Sequence, residues 1–274
     1  MYVHLQIWRE NLKIVNDKYY TSNELAKYCI EKTYEIIGEN NITEVIEPSA
    51  GNGSFSNQLD CIAYDIEPKS ENIIQQNYLE LDLYYKKGRL IIGNPPYGVH
   101  NYMSVKFYKK SVELGDYISF ILPISQLNNN MYMYEFTMVH SEDLGDKMYS
   151  NRKIHCCLNI YKRNPLGINK KPNYDLKDVV LKTVNRGQSR NDKVPEKYDF
   201  SISGFGASVG NLCDYENQYC QQIYFTINNT NIKTKIIDII SNTDWKNICK
   251  STATPKLKHW IINKYLKEQI SEIS

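Results

Sequence analysis

The chain contains no run of 18 consecutive apolar residues, so the sequence holds no candidate membrane-spanning helix. Its opening, Met1-Tyr2-Val3-His4-Leu5, lacks the basic start and long apolar stretch of a secretory signal. Seven cysteines are present, an odd number, and none sits in a Cys-x-x-Cys pair. That disfavours both a disulfide framework and a cysteine-based metal site. These absences together predict reduced, buried thiols in a cytoplasmic protein with no metal and no membrane contact. Net charge is also small, +2 over 274 residues.

The charge is nevertheless unevenly distributed. Residues 1–146 carry 12 Lys and Arg against 20 Asp and Glu, whereas residues 147–197 carry 13 against 4. An acidic part is followed by a basic band, which a phosphate backbone would attract in a salt-dependent way. Hydrophobic residues make up 42% of the chain, enough for a core in one large domain or one and a half.

Helical spacing places Leu25, Cys29, Ile30, Thr33, Ile36 and Ile37 on one face of a helix over 21–39, with Thr21 or Ser22 as its cap. Strands are predicted at 43–47, 60–66 and 88–93, with weak helix signals at 52–59 and 68–76. A helix over 102–114 should bury Val105, Phe107, Tyr108 and Val112. Strands follow at 117–122 and 153–161, another at 219–228, and a last helix with Thr254 as cap and Pro255 at its first position. Strands alternating with helices imply a doubly wound, mostly parallel α/β sheet with ligands at the strands' carboxyl ends.

The motifs lie at those ends. Asn94-Pro95-Pro96-Tyr97-Gly98 follows the apolar run Leu90 to Gly93. Two prolines cannot continue a strand, so the backbone must swing out and present its carbonyls. An amide oxygen, a backbone carbonyl and an aromatic ring held together can grip a planar amino group, such as that of adenine or of glutamine. Upstream, Glu47-Pro48-Ser49-Ala50-Gly51-Asn52-Gly53-Ser54-Phe55 has the layout of a nucleotide-binding turn between a strand and a helix. It lacks the third glycine of the dinucleotide fingerprint, which favours a smaller nucleoside cofactor. Asp65, 14 residues beyond Gly51, closes the next strand, where it could accept hydrogen bonds from ribose hydroxyls. Ile66 beside it could lie on an adenine face. Asn185 to Asn191 is a polar loop, either a plain surface loop or one whose Arg186, Gln188 and Arg190 contact base edges of a substrate. Ser203 to Gly210 is glycine-rich but has no lysine, and reads as a turn.

The ordered set Glu-Pro-Ser-Ala-Gly-x-Gly-x-Phe, Asp-Ile-Glu and Asn-Pro-Pro-Tyr-Gly resembles that of the S-adenosylmethionine-dependent N6-adenine DNA methyltransferases. Tyr19-Tyr20-Thr21-Ser22-Asn23-Glu24-Leu25-Ala26 is similar to the segment preceding the cofactor motif in the gamma-ordered branch, with Ser22 in place of proline. Gln76-Asn77-Tyr78-Leu79 stands where the family has Asp-Phe-Leu. The likeness covers roughly residues 18–163.

It implies a Rossmann-like class I methyltransferase domain over 1–163 and a C-terminal α+β extension over 164–274. The implied cofactor is S-adenosyl-L-methionine. Tyr20, Thr21, Glu47, Pro48, Ser49, Ala50, Gly51, Gly53, Asp65, Ile66, Asn77, Tyr78 and Asn94 would hold it. Asn94, Pro95, Pro96 and Tyr97 would carry catalysis. The Asn94 side-chain oxygen and the Pro95 carbonyl would accept the two N–H bonds of a flipped adenine, with Tyr97 stacked on the base. DNA is the implied partner, with target recognition either limited or supplied by a separate recognition or restriction subunit. RNA adenine, protein glutamine, and an inert nucleic-acid-binding protein of the same fold remain open as alternatives.

Overall fold

A strand apolar on both faces needs cover on both faces, and β4 (Arg89–Gly93) is buried at every position. In the computed structural model, which describes residues 20–149, 152–187, 190–249 and 254–274, it lies at the centre of a seven-stranded sheet. The other strands are β1 (Glu44–Glu47), β2 (Ile62–Asp65), β3 (Ile74–Gln75), β5 (Tyr117–Pro123), β6 (Thr137–Tyr149) and β7 (Arg152–Lys162). Their order is β3-β2-β1-β4-β5-β7-β6. The first five pair in parallel, β7 runs antiparallel to β5, and β6 antiparallel to β7. This is a doubly wound, Rossmann-like sheet. Its strand order reverses between β1 and β4, where such sheets open a crevice at the carboxyl ends.

Alternation along β4 separates two cores. Leu90 and Ile92 face helix α1 (Asn23–Ile37), packing with Leu25, Cys29 and Ile30. Ile91 faces helix α2 (Tyr102–Leu114), packing with Phe107, Tyr108 and Val112. Cys156 and Cys157 divide in the same way, one thiol to each core. Cys29, Cys61, Cys157, Cys213 and Cys220 are free thiols. Burial pushes the Cys29 thiol up to about 12, which keeps it neutral and unreactive.

Several expectations need correction. Ser22, not Thr21, caps α1, accepting from Leu25 N at 3.2 Å, and Ile36 is exposed rather than buried. Val105 is only half-buried, its place in the core taken by Ser104, Ser111 and Leu114. Neither 52–59 nor 68–76 forms a helix. Turns occupy both stretches, and β3 ends the second. Glycine, serine and asparagine dominate the first, and all three favour turns over helix interiors. The edge strand β6 was not anticipated. Its charged, half-exposed residues lack alternation, and its pairing shifts register between Met138 and His140 and between Asp143 and Gly145.

The chain divides into two units between Pro172 and Asn173. The second has an antiparallel sheet in the order β10-β11-β8-β9: β8 (Val179–Gly187), β9 (Arg190–Asn191), β10 (Phe200–Ser203) and β11 (Gln221–Ile227). Helices α3 (Lys233–Asn242), α4 (Trp245–Ile248) and α5 (His259–Gln269) complete it. Ile202, Ile223 and Phe225 share a core with Ile236, Trp245, Ile262 and Leu266. The last helix starts at His259, not after Thr254. Leu257 N donates to Gly204 O and Gly206 N to Pro255 O, which holds 255–257 extended. The glycine-rich turn is a packing device. A Cβ on Gly210 would lie 2.2 Å from Trp245 Cδ1, so no other residue fits there.

Among the described residues no helix is long and apolar enough to cross a membrane, and no cluster of His, Cys, Asp and Glu is arranged to hold a metal ion.

Candidate functional site

The sheet brings its motifs to one edge. β1 delivers Glu47-Pro48-Ser49-Ala50 into the turn Gly51 to Gln58, β2 delivers Asp65, and β4 delivers Asn94. Gly51 has φ +57°, a left-handed conformation that side chains disfavour. Its N–H donates to Asp65 Oδ2 at 2.7 Å, while Glu67 N donates to Asp65 Oδ1 at 2.8 Å. Asp65 therefore locks the glycine turn to the end of β2. Each of its oxygens keeps a further lone pair for a hydroxyl.

Glu47 is buried beneath the same turn, 1% exposed, with Ser56 N donating to its Oε2 at 2.9 Å. Burial pushes its carboxyl up to about 8, so it is predominantly protonated at neutral pH.

Thr21 ties the motifs together. Its carbonyl lies 2.5 Å from Ser54 Oγ in the glycine turn, and its hydroxyl accepts from Asn94 Nδ2 at 3.2 Å. Ser49 Oγ donates to the Asn94 carbonyl at 3.2 Å. A narrow cleft of about 20 Å³ runs between Tyr20, Thr21, Glu47, Ser49, Gly51 and Asn94. The Tyr20 ring lies against Gly51 at its side, for a Cβ on Gly51 would sit 3.4 Å from Tyr20 Cδ1 and Cε1.

Beyond Asn94 the backbone turns as the prolines dictate. Pro95 is buried, and among the described residues no hydrogen bond ends on its carbonyl. The Pro96 carbonyl accepts from Ser104 Oγ at 3.2 Å. Tyr97 departs from expectation. It is 5% exposed, packed in the core facing α1, with its hydroxyl 3.4 Å from Cys156 Sγ. In this conformation its ring is not open to a ligand, because the apolar layer between α1 and the sheet holds it. The chain then passes through His100 (φ 53°) and Asn101 (φ 64°), two non-glycine residues in the left-handed region. Asn101 Nδ2 donates to Ser125 Oγ at 2.7 Å, linking this loop to the one after β5.

Other predicted residues are placed less directly. Pro48 and Ala50 are buried at the base of the turn, and Gly53 closes it with N–H to Ala50 O at 2.8 Å. Ile66 is half-buried after β2. Asn77 Oδ1 already accepts from Leu79 N at 3.1 Å. Tyr78 is a core residue, 1% exposed, stacked on Phe107 at 5.3 Å and bonded to Ser111 Oγ at 2.8 Å, so only its backbone could meet a ligand. Arg186 and Arg190 belong to the second unit. There the expected loop is a hairpin end, with Gly187 paired to Arg190 and Arg186 to Asn191. Gln188 lies outside the described residues. Ser54 and Ser104 act as fasteners that were not among the expected site residues. Ser54 stood inside a recognised motif, whereas nothing marked Ser104.

No family model matches the chain, and no curated protein matches it. Solved structures do. One is a protein of Pyrococcus horikoshii described as a candidate RNA methyltransferase, with 14% identity over 54% of this chain and 87% of the other, at a TM-score of 0.43. Another is a type I restriction-modification methyltransferase subunit from Streptococcus thermophilus, with 12% identity over 63% and 50%, at 0.42. A third is the magnesium protoporphyrin IX methyltransferase of Synechocystis, with 12% identity over 57% and 91%, at 0.36. RNA, restriction-modification and porphyrin all figure in those descriptions, so the likeness selects no substrate.

Proposed function

We propose that this chain is an S-adenosyl-L-methionine-dependent methyltransferase that modifies the N6 amine of adenine in DNA. The observation that carries the reading is the convergence on Thr21. One residue of the upstream segment bonds both the glycine turn, through Ser54, and the Asn94 turn. Three motifs separate in sequence thus border one cleft at the switch point of the sheet.

The donor set suits the cofactor. Asp65 at the end of β2 retains acceptor capacity for ribose hydroxyls. Glu47, a carboxyl buried in the cleft wall, gains a reason to ionise beside a cationic ligand. Gly51 leaves the backbone open to close approach once Tyr20 moves away from it. When bound, the cofactor supplies an electrophilic methyl group on a sulfonium.

The remaining work falls to the Asn94 turn. The lone pair of an aryl amine is delocalised into its ring, so the nitrogen is a weak nucleophile. Acceptors at Asn94 Oδ1 and Pro95 O would take its two N–H bonds and favour a tetrahedral nitrogen with its lone pair free. Catalysis of this kind is positioning and electrostatics. Pro95 and Pro96 fix the direction of the carbonyls, and Ser104 holds the Pro96 carbonyl from behind. Stacking by Tyr97 requires its ring to leave the apolar layer.

The test is transfer of labelled methyl groups from the cofactor to plasmid DNA, to RNA and to a glutamine-containing peptide. Label on N6 of adenine in DNA is expected. Label on RNA or peptide alone would replace the substrate assignment, and cofactor binding without transfer to any of them would leave an inert binder.

A further inference from the structure

The second unit presents one face of its sheet to its helices and the other away from them. Residues alternate across a strand, so the pairing registers identify the outward set. Val179, Leu181, Ile223, Phe225 and Ile227 belong to the helix-covered core. Val180, Lys182, Val184 and Arg186 on β8 therefore point the other way. They lie beside Thr226, Tyr224 and Gln222 of β11, and next to Ser201 and Ser203 of β10.

The β10–β11 side of that outward face is covered. Gln222 Nε2 donates to Tyr215 O at 3.3 Å, Asn217 N donates to Tyr224 Oη at 3.2 Å, and Tyr198 packs edge-on against Tyr224 at 4.9 Å. Its acid, Glu216, is bound by the Tyr198 hydroxyl at 3.0 Å. On β8 itself Val180, Lys182 and Arg186 are exposed, while Val184 between the two cations is buried. Lys182 and Arg186 are four residues apart on one face, roughly 13 Å. Among the described residues neither cation has an ion-pair partner or a side-chain hydrogen bond. Asp192, the nearby acid of the hairpin, is turned to Asn185 on the other face, at 2.9 Å from its N–H.

Two cations of the basic stretch in the first unit differ. Arg163 is held by Asp116 at 3.1 Å and by the carbonyls of Val112 and Gly115, and Lys153 pairs with Asp146 at 2.8 Å. Those charges are already engaged. Lys182 and Arg186 are available to an external anion.

We propose that the outward side of β8 is the surface through which the second unit meets the phosphate backbone of the DNA substrate, with Lys182 and Arg186 each on a phosphate. This rests on the DNA reading given above. Contacts of this type position the duplex and carry no sequence information.

The test is anisotropy of a labelled 30-base-pair duplex with the full chain between about 50 and 200 mM salt, alongside calorimetry of cofactor binding. Lys182→Ala and Arg186→Ala should each reduce the slope of log affinity against log salt by about one, and together by about two. The double variant should bind at least about tenfold more weakly near 0.1 M salt and still bind cofactor normally. Lys153→Ala should leave the slope unchanged. If the alanine variants lose their fold, Lys182→Gln with Arg186→Gln keeps side-chain length and gives the same readout. A double variant with the parent slope overturns this surface while leaving the DNA reading intact. A parent chain that binds cofactor but no duplex overturns both.

Discussion

The turn after β1 and the turn after β4 stand side by side at the same sheet edge, yet they are held in opposite ways. The glycine turn puts its left-handed residues at Gly51 and Gly53, where no side chain resists, and is pinned by Asp65, Glu47 and Ser54. The turn after β4 also carries glycine, at Gly98, but then places His100 and Asn101 in the left-handed region. It is held by Ser49, Thr21, Ser104 and Ser125 from four other segments. One turn avoids strain, and the other is forced into it by its surroundings. Strain of that kind is tolerated where surrounding structure over-determines the backbone. The comparison suggests that the first turn serves ligand approach and the second serves fixed geometry.

The largest expected effect separates those roles. Under the proposed function, Asn94→Ala should lower methyl transfer by about 10²–10³-fold while cofactor still binds, since it would remove an acceptor for the reacting nitrogen. Single-turnover transfer and cofactor calorimetry measure the two halves. A variant with near-normal rate removes Asn94 from catalysis and makes both turns merely structural.

Glu47 comes next. Its carboxyl is raised to about 8 in the folded chain, so the folded state binds the proton more tightly than the unfolded state. Stability contributed this way is full below the unfolded value and is lost as pH rises toward 8. At about 1.4 kcal/mol per unit, the loss between pH 5 and pH 8 is roughly 3 kcal/mol. Glu47→Gln should flatten that decline, seen as melting temperature against pH. An unchanged slope would mean that Glu47 is ionised under the turn and that burial does not govern it.

Asp65→Ala should weaken cofactor affinity more than turnover. It also frees Gly51 N and Glu67 N, so a stability loss of about 1–3 kcal/mol should accompany it. Turnover falling while affinity holds would reverse the roles assigned to the two turns.

Much of this arrangement could be read from the residues, and the limits have physical causes. Leu90, Ile91 and Ile92 announce a strand buried on both faces, and the prolines after Asn94 announce where it must stop. The motifs put Gly51, Asp65 and Asn94 at strand ends, and the family resemblance added Thr21 to the expected cofactor contacts. What stayed hidden was whether a side chain faces ligand or protein. Tyr97 and Tyr78 sit in motif positions but fill core space, since an aromatic next to a strand end buries more area inward. Asp65 and Asn77, expected to contact the cofactor, also accept from local backbone N–H groups, a second task that no residue pattern marks. β6 had no apolar period because it lies at the edge of the sheet.

The smallest effect tests the strain itself. His100 is exposed and has φ 53°, and no hydrogen bond of its side chain is seen among the described residues. His100→Gly relieves the left-handed penalty but adds freedom to the unfolded chain, so the net gain should be modest, about 0.5–1 kcal/mol. That corresponds to a rise of a few degrees in melting temperature at this size. If the turn after β4 works by fixed geometry, the same variant should transfer methyl groups more slowly despite its greater stability, because Asn94 and Pro95 are then held less firmly. A stabilised variant with unaltered transfer would show that the strain at His100 is incidental, and the contrast between the two turns would reduce to their glycines.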